Sequence, residues 1–254
     1  MSVDHPLREF SPTPVRVPWG GHRLHGDLGV PPSARGMVVF AHGSGSSRRS
    51  PRNQYVARVL DRAGLGTLLI DLLTTEEEAI DARTAHLRFD ISLLSGRLVG
   101  IVDWIRGRGD VISLPIGLFG ASTGAAAALV TAGARPHDIA AIVSRGGRPD
   151  LAEAALACVV APTLLIVGGL DTAVIQMNRD AMAQMPGEVV LDIIPGATHL
   201  FEEPGALERV AELSAGWFKP PSPARRPRGR PARVLAPSLT DRRPAMVVSA
   251  KLSD

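Results

Sequence analysis

The sequence predicts an α/β fold, a mostly parallel eight-stranded sheet flanked by helices, on three observations. Six short apolar runs are too continuous for half-exposed strands and suit strands buried on both faces. Helical patterns separate these runs, so strand and helix alternate six times, which implies right-handed crossovers with helices on both faces. Two further strand-like segments precede them and supply an antiparallel edge.

In chain order, Val15 to Val17 and His22 to Val30 read as that edge hairpin, divided by Pro18, Trp19 and the turn-forming pair Gly20-Gly21. The apolar runs are Met37 to Ala41, Thr67 to Leu72, Ile116 to Phe119, Ile139 to Val143, Thr163 to Val167 and Val189 to Ile194. Helical patterns cover about Asn53 to Ala63, Phe89 to Arg106, Gly124 to Ala132, Leu151 to Leu156, Ala173 to Gln184 and Gly205 to Phe218. In such sheets ligands bind beyond the carboxyl ends of the strands, which directs attention to the residues just after each run.

At 254 residues the chain can hold one sizeable core, and the prediction is a catalytic domain over residues 1–218 with a tail over 219–254. From Lys219 onward nine Lys/Arg stand against two Asp/Glu, leaving 19 against 23 in the body. The body is therefore mildly acidic, and the net charge of +3 belongs to the tail. That tail is rich in Pro and Arg and lacks a sustained apolar period, the composition of a disordered extension. A nucleic-acid contact is expected only through this basic arm, and a solvated extension is the simpler reading. Cys158 is the only cysteine, so no intrachain disulfide forms, and a reducing, cytoplasmic setting is expected. No stretch offers the roughly 18 apolar residues of a membrane span, and the first residues lack an apolar signal core.

The chemistry concentrates at Gly120-Ala121-Ser122-Thr123-Gly124, a G-x-S-x-G motif between a strand and a helix-forming run. A sharp strand-to-helix turn exposes the central hydroxyl, and the helix N-terminus presents N–H groups to developing negative charge. A serine hydroxyl needs a general base, and seven histidines compete for the role. His5, His22 and His25 lie in the N-terminal arm and hairpin, and His137 precedes a strand. His42 sits in His42-Gly43-Ser44-Gly45, which suggests another task. His86 belongs to a polar stretch and stays open as an alternative, whereas His199 follows the last strand, on the same rim as Ser122. Asp171 follows the strand ending at Val167 and is the candidate to orient the base, giving the chain order Ser, Asp, His. Capping of the next helix is the alternative role for Asp171, and Asp192 is a poorer candidate because it lies inside a strand. For the oxyanion, one backbone N–H is assigned to Thr123 and the other to Ser44 or Gly45. No metal-ligand spacing stands out, and no cofactor is expected.

With these residues in place, the chain resembles the α/β-hydrolase superfamily and, within it, the dienelactone-hydrolase-like group, from about Val15 to Phe218. The resemblance is carried by AHGSGSSRRSPRN from Ala41, LLIDLLTTEEE from Leu68, GASTGAAAAL from Gly120, GGLD from Gly168 and THLFEEPGAL from Thr198. It implies the same nucleophile, acid and base. Dienelactone hydrolases proper use a cysteine nucleophile, whereas Ser122 stands here, so a serine esterase is the expectation.

About 20 residues separate Val143 from Thr163, too few for a large cap domain there. A loop from Thr74 to Arg88 is expected either to be solvated or to face the substrate as a lid. Arg145 and Arg148 follow a strand on the same rim and are candidate ligands for an anionic group of the substrate, with a structural ion pair as the alternative. The expected activity is hydrolysis of a small carboxylic ester, lactone or thioester through an acyl-Ser122 intermediate. The competing readings are a non-catalytic binding module of the same fold and an acyltransferase using the same three residues.

Overall fold

A computed structural model describes residues 10–219 of the chain, which belong to one compact unit. The expected tail lies outside these residues from 220 onward. An eight-stranded sheet runs β1 (Thr13–Trp19), β2 (His22–Gly29), β4 (Gly66–Ile70), β3 (Met37–Ala41), β5 (Ile116–Ala121), β6 (Ile139–Arg145), β7 (Thr163–Gly168) and β8 (Val189–Ile194). The β1–β2 and β2–β4 pairs are antiparallel, and every other neighbouring pair is parallel. The hairpin is the edge, as its sequence required, although Pro18 and Trp19 belong to β1 and only Gly20-Gly21 forms the turn. Pro18 is tolerated because β1 is an edge strand.

Strands β3 to β7 are buried almost throughout, which is why their sequences read as unbroken apolar runs. Helices α1 (Pro51–Arg62) and α6 (Ala206–Trp217) cover one face over Phe40, Phe119, Val143, Ile166 and Phe201. The Phe40 and Phe119 rings stack with centroids 4.8 Å apart. Helices α3 (Ile91–Arg106) and α4 (Thr123–Ala134) pack together on the other face, over Val39, Ile70, Leu118 and Ile142. Helix α5 (Thr172–Met182) comes after β7, and no helix among the described residues is long and apolar enough to cross a membrane.

Two segments differ from expectation. The stretch from Thr74 to Arg88 is not a loop: it forms α2 (Thr75–Thr84) and a short 3-10 turn over Leu87–Phe89. Thr74 closes a full capping box, its side chain accepting from the Glu77 N–H while Glu77 accepts from the Thr74 N–H. The helical pattern near Leu151 to Leu156 is 3-10 in character over Pro149–Cys158 and breaks at Glu153, where φ is +47°. Strand order reverses between β4 and β5 on either side of β3, so the carboxyl ends of β3 and β5 form the switch point where a site is expected.

Candidate active site

Ser122 follows β5 and precedes α4 with φ +50° and ψ −119°, a conformation that a residue with a Cβ rarely adopts. Its side chain makes no capping bond to α4. The turn is this sharp because α4 starts hard against β3: a Cβ on Gly124 would lie inside the contact radius of the Ala41 carbonyl oxygen and 2.5 Å from that of His42. Glycine is therefore required two residues after Ser122.

Asp171 occupies the N-cap position of α5, yet its carboxylate does not cap the helix. It meets His199 instead, with Nδ1 to Oδ2 at 2.6 Å. The carboxylate can only accept, so Nδ1 carries the proton, and in the neutral imidazole tautomer that this selects Nε2 is the free acceptor. His199 lies in the loop between β8 and α6 and is half-exposed, as is Ser122. The structure thus places all three predicted residues beyond the carboxyl ends of β5, β7 and β8, and joins Asp171, the candidate orienting acid, directly to His199, the candidate base.

His42 does have another task. It is buried; its Nε2 accepts the Leu72 N–H at 3.0 Å, so Nδ1 bears the proton and donates to the Gly43 carbonyl at 3.0 Å. Burial holds its pKa below the ordinary value, against the opposing pull of the Gly43 carbonyl and Asp71. The ring pins the Gly43–Gly45 loop to the end of β4. His86 is exposed and bonded to Thr84 at 2.7 Å.

A cavity of about 490 Å³ opens beside the site and meets it at Thr123, Ser44 and Gly45, the three residues assigned to the oxyanion. As the first residue of α4, Thr123 has a backbone N–H without an intrahelical acceptor. Gly45 takes φ +68°. The opposite wall is α2 with the 3-10 turn beyond it: Glu78, Asp81, Ala82 and Arg88, with Leu73 and Leu94 beneath. Arg88 is fixed by Asp81, whose carboxylate accepts from Nε at 2.6 Å and whose carbonyl accepts from Nη2 at 2.9 Å. Burial, then repulsion from Asp71, raises the Glu78 pKa. Sequence reasoning names Glu78 and Arg88 within this stretch but not Asp81 or Ala82, although the Thr74-x-x-Glu77 capping signature marks the helix that carries most of them.

Arg145 and Arg148 are not among the residues that line this cavity. Arg148 closes a fork on Asp150, with Nε and Nη2 at 2.9 and 2.7 Å, so the ion-pair alternative holds for it. Arg145 is 8% exposed, and its Nη1 has no hydrogen-bond partner among the described residues. Burial, assisted by nearby Arg52, lowers its pKa to about 10. Its place in the chain is on the rim, as expected, but its side chain turns inward.

No protein-family model matches the chain. A crystal structure of dienelactone hydrolase from Anabaena variabilis is 60% identical, with a TM-score of 0.80 over 82% of this chain and 97% of that one. Est1E from Butyrivibrio proteoclasticus shares the fold at 17% identity, with a TM-score of 0.67 over 80% of this chain and 96% of that one. A curated Mycobacterium tuberculosis protein, described provisionally as a phosphoribosyl transferase, is 55% identical over 217 residues, 85% of this chain and 47% of that protein. The chain thus spans about half the length of the curated relatives it matches.

Proposed function

Because the chain belongs to the dienelactone-hydrolase-like family of the α/β-hydrolase superfamily, we propose that it is a serine hydrolase of small carboxylic esters, lactones or thioesters. The observation that carries this reading is the strained Ser122, set on the same strand ends as a histidine already bonded to a carboxylate. In the proposed reaction, Ser122 Oγ attacks the acyl carbonyl carbon and passes its proton to His199 Nε2. Asp171 stabilises the imidazolium and holds its orientation. The oxyanion forms against the N–H groups of Thr123 and of Ser44 or Gly45. The bond to the leaving oxygen or sulfur then breaks, and the leaving atom takes the proton from His199. Water, deprotonated by His199, attacks acyl-Ser122, and the serine is regenerated with its proton. No cofactor or metal enters this scheme, and a cytoplasmic setting belongs to the same reading.

The phosphoribosyl transferase description attaches to proteins of which this chain matches less than half. That description belongs to the whole of those proteins, and the proposed reaction of this chain rests on its own Ser122, Asp171 and His199 instead. The test compares p-nitrophenol release from a short acyl ester by the wild type and Ser122→Ala. The expected outcome is a loss of at least about 10³-fold in kcat. Equal rates would contradict the reading and favour the non-catalytic alternative. Supplying alcohols as competing acceptors separates hydrolysis from acyl transfer.

A further inference from the structure

The turn from Arg145 to Arg148 bonds to Ser122, packs against the His199 loop and bonds to the strand and helix that flank Asp171, and we infer that it sets the three residues in register, with Gly146 as a positioning residue. This inference rests on the serine-hydrolase reading. The Arg145 carbonyl accepts the Ser122 N–H at 3.3 Å, and the Arg148 N–H donates to the Ser122 carbonyl at 3.1 Å. Ser122 is thus gripped on both sides, and these bonds offset the strain of its backbone.

The same turn supports the base. Gly146 has φ +51°, and a Cβ added there would stand 3.1 Å from the His199 carbonyl oxygen, 3.4 Å from the Phe201 ring and 3.5 Å from His199 Cε1. Phe201 has φ +56° and is 1% exposed, so its buried ring anchors the base loop on the bare face of Gly146. The turn also ties to the acid's neighbourhood. The Gly146 N–H donates to the Ile166 carbonyl on β7 at 2.8 Å, and Asn178 on α5 donates from Nδ2 to the Gly147 carbonyl at 3.0 Å. Asp171 lies between β7 and α5. A methyl group at position 146 is expected to shift the base loop by a few tenths of an ångström relative to Ser122, with the cavity wall left in place.

The test is Gly146→Ala, beside Gly205→Ala as a control. Gly205 also has a positive φ, +82°, but nothing lies within 4 Å of an added Cβ, so it carries the backbone penalty alone. Three readouts are taken on folded protein: kcat, KM, and the low-field proton NMR signal of the His199–Asp171 hydrogen bond. Gly146→Ala is expected to lower kcat by about 10- to 100-fold, with KM within about twofold and the low-field signal shifted or lost. Gly205→Ala is expected to retain kcat within about twofold and the signal. Should Gly146→Ala fail to fold, Asn178→Ala reads the same coupling, with an expected kcat loss of about fivefold or more at near-constant KM. A folded Gly146→Ala with wild-type kcat and an unmoved signal overturns the inference, as does an Asn178→Ala with wild-type kcat. Failure of the underlying reading shows separately, as a wild type no faster than Ser122→Ala.

Discussion

At the scale of single residues, the site is held by side chains whose conformation or charge state is costly on its own. Ser122 occupies φ +50°, which for a residue with a Cβ costs on the order of 1–3 kcal/mol. Ser122→Gly is therefore expected to raise the unfolding free energy by about that amount while abolishing ester hydrolysis; chemical denaturation and the p-nitrophenol assay measure both effects. His42 gives a pH signature. Its folded-state pKa lies below the ordinary 6.5, so the unfolded chain binds the proton more readily. Between the lowered value and 6.5 the unfolded state holds more protons, and stability rises with pH. The melting temperature is thus expected to fall on acidification below about 6.5, with a shallower slope in His42→Gln. Equal slopes in the two proteins would remove His42 as the source. The glycine-rich surroundings of His42 set it aside from base duty at the level of sequence. Its bond to Leu72 could not be read there, because it joins the ends of two strands far apart in the chain.

At the scale of elements, what was legible came from burial. Strands buried on both faces must be apolar throughout, so β3 to β7 announced themselves with ends close to those observed. Helix α2 did not, because apart from buried Asp81 and half-buried Glu77 its residues are exposed and show no apolar period. It is held by its ends and by ions. The Thr74 capping box starts it, Asp81 pairs with Arg88, and Glu77 pairs with buried Arg97 through two contacts of 2.6 Å. The Arg97 hydrogen bond also keeps the Glu77 pKa low. Thr74→Ala is expected to cost about 1 kcal/mol, seen as faster amide exchange over residues 75–84. Because Glu78, Asp81 and Ala82 line the cavity, KM should rise while kcat changes little. Unchanged exchange and KM would show that α2 is held independently of its cap. The inward turn of Arg145 was illegible for a related reason: chain position gives the strand end but not which face a terminal side chain takes.

At the scale of the whole molecule, the order β1-β2-β4-β3-β5-β6-β7-β8 explains why residues from four distant segments converge. The reversal around β3 opens a crevice between the ends of β3 and β5, and the parallel neighbours β6, β7 and β8 bring the acid and base along the same rim. Chain order and strand-end placement were sufficient to put Ser122, Asp171 and His199 on one rim, since a parallel sheet places every strand's carboxyl end on one side. They could not give the cavity, whose wall depends on how α2 folds back over the Gly43–Gly45 loop. The serine-hydrolase reading stands or falls on Ser122 Oγ being the atom that takes the acyl group. Covalent labelling with a fluorophosphonate, located by mass spectrometry of the digested protein, tests this directly. The expected result is a phosphonyl adduct on Ser122 that is lost in Ser122→Ala and strongly slowed in His199→Ala. An adduct on another residue, or ester hydrolysis that persists with Ser122 unlabelled, would contradict it.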